Sequence, residues 1–172
     1  MRGLVVGRFQ PYHSGHHQAV KRILKEVDEL VIVIGSTQKS YEKENPFTAG
    51  ERIEMIAEAL KKDKLFEACF LVPIADVGEN AVWTKKVRSC CPHFDVVYSN
   101  NPLVKQLFEA EGLKTKPMVS NLKDVDSTQV RRLLLAGNKE WQKLVPKPVA
   151  DYLGALKAVE RMKAIAKNEE KF

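Results

Sequence analysis

Apolar positions along the chain follow two alternating rhythms. Strand-length apolar runs occupy Gly3–Val6, Glu29–Ile34, Ala68–Val72, Phe94–Tyr98 and, more weakly, Thr115–Val119. Between them, apolar residues at helical spacing predict helices over about 16–27, 48–63, 81–91 and 102–111. The second of these has a clear start, because Thr48 and Glu51 stand at capping-box spacing ahead of Ile53, Met55, Ile56 and Leu60. Continuous Val/Ile strands, each followed by a helix, predict an α/β doubly wound fold whose five-stranded parallel sheet is covered on both faces.

After the fifth strand the rhythm changes. Asp126-Ser127-Thr128 opens a helix carrying Val130, Leu133 and Leu134 and ending near Gly137. Val145-Pro146-Lys147-Pro148 then interrupts the chain before one last predicted helix over about 149–168. No repeat or long linker divides the sequence, which reads as a single domain over 1–172 with a helical C-terminal tail from about 146. In sheets of this kind ligands bind beyond the carboxyl ends of the strands. Segments 7–16, 35–47, 73–83, 99–102 and 126–132 are therefore expected to hold any site.

Composition narrows the partners only a little. At 172 residues, 44% hydrophobic and 29% charged, the chain can bury a proper core. No apolar stretch approaches the roughly 18 residues of a membrane span, and the N-terminus runs directly into an apolar strand, so a cytoplasmic location is expected. Three cysteines, two of them adjacent at Cys90 and Cys91, suit neither a disulfide framework nor a zinc site and read as reduced structural thiols. A net charge of +6 is compatible with nucleic acid, an anionic membrane or small polyanions, and does not choose among them. No long Lys/Arg run interleaved with aromatics is present. Neither nucleic acid nor membrane is the expected partner.

The turn after the first strand, Gly7-Arg8-Phe9-Gln10-Pro11-Tyr12-His13-Ser14-Gly15-His16, carries the chemistry. It lacks both the dinucleotide fingerprint G-x-G-x-x-G and the Walker A pattern. Instead it brings Arg8, His13 and His16 to a helix start, where backbone N–H groups and the helix dipole favour a phosphate chain. Gly15 between the histidines lets such a chain approach. A His pair can also ligate a metal, but no carboxylate or cysteine lies at ligand spacing beside it.

His13-Ser14-Gly15-His16 resembles the H-x-G-H motif of the nucleotidylyltransferase superfamily, and Ser127-Thr128-Gln129-Val130-Arg131 resembles its second motif, S-[ST]-x-x-R. The loop from Gly7 to His16, the stretch Glu44–Arg52 and Tyr98-Ser99-Asn100-Asn101-Pro102 are similar to the archaeal-type nicotinamide mononucleotide (NMN) adenylyltransferases, over roughly residues 1–150. The resemblance implies synthesis of NAD from NMN and ATP with release of pyrophosphate. It also implies Mg²⁺ accompanying ATP, no covalent enzyme intermediate, and a homo-oligomer.

On that reading His16 is expected at the α-phosphate and His13 at the other ATP phosphates, with Arg8 and Arg131 at the β/γ end. Gly7, Phe9, Asn100, Ser127 and Thr128 complete the expected ATP site. Arg132 points about 100° round the helix from Arg131 and is set aside. Trp83 resembles the tryptophan on which the family stacks the nicotinamide ring, though it also suits a core aromatic. Asn80, Gly35, Ser36 and Arg52 join it in the expected NMN site; Arg52 alternatively pairs with Glu51 or Glu54. His17 and His93 read as surface residues. The two superfamily motifs alone leave transfer onto another phosphate, such as phosphopantetheine, open.

Overall fold

The computed structural model describes residues 1–122 and 124–169. Five strands form one parallel sheet in the order β3-β2-β1-β4-β5: β1 (Arg2–Gly7), β2 (Glu29–Ile34), β3 (Cys69–Pro73), β4 (Val96–Tyr98) and β5 (Lys114–Lys116). Helices α1 (Ser14–Ile23), α2 (Ala49–Lys62), α3 (Asn80–Cys90) and α4 (Pro102–Ala110) make the four crossovers. Helices α5 (Ser127–Ala136), α6 (Lys147–Ala155) and α7 (Ala158–Glu169) follow the last strand. The expected α/β doubly wound, five-stranded parallel architecture is the one observed.

Alternate strand residues feed two cores, as a pleated sheet covered on both faces requires. Val5, Leu30, Ile32, Ile34, Val96 and Tyr98 face α1, α2 and the C-terminal helices, meeting Val20, Met55, Ile56, Val130, Leu134 and Met162. Leu4, Val31, Val33 and Val97 face the other way, toward Val87 and Phe108 of α3 and α4. Two capping boxes start the helices of the larger face: Thr48 with Glu51 on α2, as expected, and His13 with His16 on α1.

Two expectations need correction. The last helix is not continuous over 149–168: Lys157, at φ 52°, breaks it between α6 and α7 and lets α7 fold back onto α5. The fifth strand is shorter and ends at Lys116, because Pro117 cannot donate to the ladder. Past it, Met118 exchanges hydrogen bonds with the Asn100 side chain (2.7 and 2.9 Å). The strand order reverses at β1, which has β2 on one side and β4 on the other; the crevice beyond those strand ends is where this topology places a ligand.

Candidate active site

The chain leaves β1 through Phe9, at φ 52°, and reaches α1 with His13 as its N-cap. Nδ1 of His13 accepts from the backbone N–H of Gly15 (3.1 Å) and His16 (3.4 Å). Nδ1 of His16 accepts in turn from the His13 N–H at 3.3 Å. The two rings stack with centroids 3.6 Å apart. A neutral imidazole whose Nδ1 accepts must carry its proton on Nε2. Both rings are thereby set as Nε2–H donors, and neither Nε2 has a protein partner among the described residues.

Burial holds them neutral. The His13 ring, 6% exposed, has its pKa pushed down to about 4 by desolvation, against a small opposing pull from Asp126. His16 is lowered still more clearly, by desolvation and then by its neighbour His13. Phe9 and Tyr12 enclose its ring, with centroids at 4.8 and 5.6 Å. Phe9 and Gly15 both serve the packing of the two rings. Phe9 is buried under His16 and has no free side-chain face for ATP. Gly15 is needed because a Cβ there would stand 3.0 Å from the His13 ring and 3.2 Å from the Val125 carbonyl.

His13, Gly15 and His16 line a cavity of about 470 Å³ with Asn100, Met118, Ser120 and Asp126. A second cavity of about 340 Å³ lies on the other side of the α5 N-terminus, lined by Lys43, Glu44, Thr128, Arg131, Arg132 and Met162. Arg131 donates to the Gln10 carbonyl (2.9 Å) and to Thr128 Oγ1 (3.3 Å), which aims a half-committed guanidinium along this cleft. The Ser127 hydroxyl is not available to an anion, since it donates to the Pro11 carbonyl at 3.0 Å. Arg8 is exposed and reaches Asn45 Oδ1 at 3.4 Å.

The residues expected at the second substrate are less closely gathered. Arg52 is fully buried and donates to the carbonyls of Arg8 (2.7 Å), Gly35 (2.7 Å), Ser36 (3.1 Å) and Thr48 (3.2 Å). It pairs with neither Glu51 nor Glu54 and reaches no cavity surface; its guanidinium ties the loops after β1 and β2 to α2. Ser36, at φ 50°, donates its hydroxyl to Asp76 Oδ1 at 3.0 Å, and Gly35 N–H bonds the Gly7 carbonyl at 2.9 Å. Gly7 admits no side chain, because a Cβ would meet the Phe9 ring at 2.7 Å. Asn80 opens α3 in an exposed position, and Trp83 is half-buried with its ring edge-on to Phe108 at 5.5 Å. His17 is not the surface residue expected: its ring lies between Tyr12 Oη and Asp63, each at 3.2 Å. His93 is exposed as expected.

A family model for cytidylyltransferase-like proteins matches residues 4–133. The chain is 46% identical over 173 residues to the nicotinamide-nucleotide adenylyltransferase of Methanosarcina acetivorans, covering 100% of this chain and 98% of that protein. It is 43% identical over 171 residues to the one of Archaeoglobus fulgidus, covering 96% and 98%. The chain belongs to the nicotinamide-nucleotide adenylyltransferases. Its fold recurs in a bifunctional NMN adenylyltransferase/ADP-ribose pyrophosphatase from Francisella tularensis, with a TM-score of 0.78 at 19% identity over 98% of this chain and 53% of that one. A putative nicotinate-nucleotide adenylyltransferase from Vibrio parahaemolyticus superimposes with a TM-score of 0.61 at 14% identity, over 88% and 97%.

Sequence reasoning missed several cleft residues of this adenylyltransferase. Lys43 and Arg132 both line the cavity beside Arg131. Angular spacing on α5 set Arg132 aside, yet a long side chain on the exposed face still reaches the cleft rim. Gln10 was also missed: its buried amide exchanges hydrogen bonds with the Phe47 backbone (2.9 and 3.0 Å) and joins the two loops of the site. Gln10 stands inside the Gly7–His16 loop that carries the family resemblance, which could have marked it, whereas no local pattern marks Lys43.

Proposed function

We propose that the chain transfers the adenylyl group of ATP to NMN, forming NAD and pyrophosphate. The observation that carries this reading is the stacked His13–His16 pair, which offers two uncharged Nε2–H donors at a helix N-terminus beside one cavity, with Arg131 lining a second cavity at the start of α5. A phosphate monoester has its second pKa near about 6, so the NMN phosphate is already a dianion and needs no general base. One of its oxygens attacks the α-phosphorus in line, the bond from that phosphorus to the β-bridging oxygen breaks, and pyrophosphate leaves with the electron pair. The protein contributes placement and charge stabilisation. His16 serves the α-phosphate, His13 the neighbouring phosphates, and Arg8, Arg131 and the α5 N-terminus the β/γ end; adenosine occupies the cavity beside Asn100.

On this reading a divalent cation, Mg²⁺, arrives with the triphosphate as part of the substrate. A second structure of the Francisella tularensis protein holds AMP and a manganese ion, which supports a divalent cation in the reaction. Glu44 lines the cavity at the proposed phosphate end, and no group of three or more His, Cys, Asp or Glu suited to a metal occurs among the described residues. That donor set suits an ion held mainly by phosphate and water. The nicotinamide ring is assigned to Trp83 and the NMN phosphate to the turn at Gly35, Ser36 and Asn80, with Arg52 holding that turn from behind. The protein is taken as a cytoplasmic homo-oligomer; among the described residues no helix is long and apolar enough to cross a membrane.

The deciding assay is pyrophosphate release from ATP and Mg²⁺ with NMN in one reaction and phosphopantetheine in a parallel one. Release with NMN alone, accompanied by NAD, is expected. Release with phosphopantetheine alone would keep the transfer chemistry and void the assignment of Trp83 and Asn80.

A further inference from the structure

Helix α7 touches both segments that carry the cations of the phosphate end. It packs on α5, which bears Arg131 and Arg132, and Met162 from α7 closes the floor of the cavity between those arginines and Lys43. On its other side Arg161 grips the segment from Tyr41 to Glu51. Its guanidinium donates to both Glu51 carboxylate oxygens (2.7 and 2.8 Å), approaches the Pro46 carbonyl at 3.4 Å, and lies over the rings of Tyr41 (4.9 Å) and Phe47 (5.9 Å). Both partners of the ion pair are largely buried, with side chains 15% and 14% exposed, so the geometry is held more firmly than at an open surface.

The segment so gripped ends in a tight hairpin. Glu42 and Asn45 exchange backbone hydrogen bonds (3.2 and 3.0 Å), leaving Lys43 and Glu44 at the tip. Glu169, near the end of α7, accepts from the Lys43 backbone N–H at 2.8 Å. The Lys43 ammonium itself makes no ion pair among the described residues and borders the cavity that Arg131 enters. One helix thus sets the spacing between a free ammonium and two guanidinium groups. A buried ion pair does not by itself argue for stability, since packed apolar residues would serve as well. A fixed distance between charges that must meet one polyphosphate is a reason for it.

We propose that Lys43 binds the β/γ end of the triphosphate, and that Arg161 is a positioning residue which, through Glu51 and the 41–47 segment, holds Lys43 at that distance from Arg131. The Glu44 carboxylate beside Lys43 is tolerated because the polyphosphate comes with a divalent cation. This rests on the adenylyl-transfer reading above.

The test is a double-mutant cycle on the intact protein, made of Lys43→Ala, Arg161→Ala and the two combined, with KM for ATP, KM for NMN, kcat and Tm read for each. Lys43→Ala is expected to raise KM for ATP by about tenfold, the worth of one charge-assisted phosphate contact, with KM for NMN and Tm little changed. Arg161→Ala is expected to raise KM for ATP to a similar degree, and the double variant no further than either alone. Should Arg161→Ala fail to fold, the exposed Glu169→Ala loosens the same hairpin, and a few-fold rise in KM for ATP at unchanged Tm is expected. Additive effects in the cycle, or unchanged ATP kinetics in folded Glu169→Ala, would overturn the positioning role. NAD formation by the wild type with Lys43→Ala unaffected would remove the Lys43 site and leave the reaction standing; no NAD from the wild type would remove the reaction itself.

Discussion

His13 and His16 cap the same helix with each other's turn: each Nδ1 accepts a backbone N–H from the other's end of the α1 capping box, and their rings stack at 3.6 Å. The hydrogen bonds that start the helix are therefore the ones that fix which nitrogen carries the proton. Structure and chemistry share one set of atoms. The two Nε2–H groups are thus fixed in tautomer and direction by the fold itself; under the proposed adenylyl transfer no ring has to turn or change tautomer as charge builds on the α-phosphate.

The two roles of His13 can be separated by substitution. Asn is a good N-cap and keeps an acceptor near the position of Nδ1, but has nothing in place of Nε2–H. His13→Asn is expected to stay within about 1 kcal/mol of wild-type stability while kcat falls roughly 10²–10³-fold, the usual loss for one donor to developing charge. His13→Ala is expected to lose activity and a further ~1 kcal/mol of stability through the missing cap. Urea denaturation and steady-state kinetics on both variants decide it, and an active His13→Asn would exclude the phosphate role.

Stability is expected to weaken in mildly acidic solution for the same reason. The unfolded chain protonates its histidines near about 6.5, whereas folded His13 waits until about 4 and His16 is depressed as well. Below pH ~6.5 the unfolded state binds more protons, so stability falls as pH drops, through to the folded values. For His13 the loss is on the order of 3 kcal/mol by pH ~4. Urea midpoints at descending pH should show this slope in the wild type and a shallower one in His13→Asn. Carboxylates such as Glu51, held low by Arg161 against the cost of burial, withdraw their share only in more acidic solution. Equal slopes for the two proteins would mean that His13 is not buried neutral.

Arg52 is expected to behave as a clamp. Removing its guanidinium strands the carbonyls of Arg8, Gly35, Ser36 and Thr48 in the interior, and Arg52→Ala should cost roughly 3–5 kcal/mol. Arg52→Lys retains the charge without the fork and should recover only part of that. A residue touching the NMN phosphate would instead raise KM for NMN at unchanged stability. Calorimetry beside NMN titration separates the two.

Trp83 poses the opposite question. Its edge-on contact with Phe108 leaves the indole half-buried, so one substitution can read both packing and binding. If the indole face takes the nicotinamide cation, worth roughly 0.5–2 kcal/mol, Trp83→Ala raises KM for NMN by about 2- to 30-fold and leaves KM for ATP alone. Trp83→Phe should lie between. A fall in Tm with both Michaelis constants unchanged would make Trp83 a core residue only.

Local pattern in the sequence specifies the layers, the strand-to-helix alternation and the turn at which His13 and His16 start α1. These depend on interactions a few residues apart: period-2 and period-3.6 burial, the Thr48–Glu51 cap, and a His-x-Gly-His turn whose partners lie within one helical turn. Tertiary structure decided what the charged residues do. Arg52 and Arg131 are each an arginine on an amphipathic helix, yet one spends its donors on four carbonyls and the other keeps part of its fork for a cleft. The break at Lys157 is another such case: apolar spacing runs on past it, and α7 turns back only because Met162 finds a core beside α5 and Arg161 finds Glu51, 110 residues away. Local pattern records which face of an element is buried. Which donor meets which acceptor depends on loops that approach only after the sheet has formed, and no sequence period encodes that.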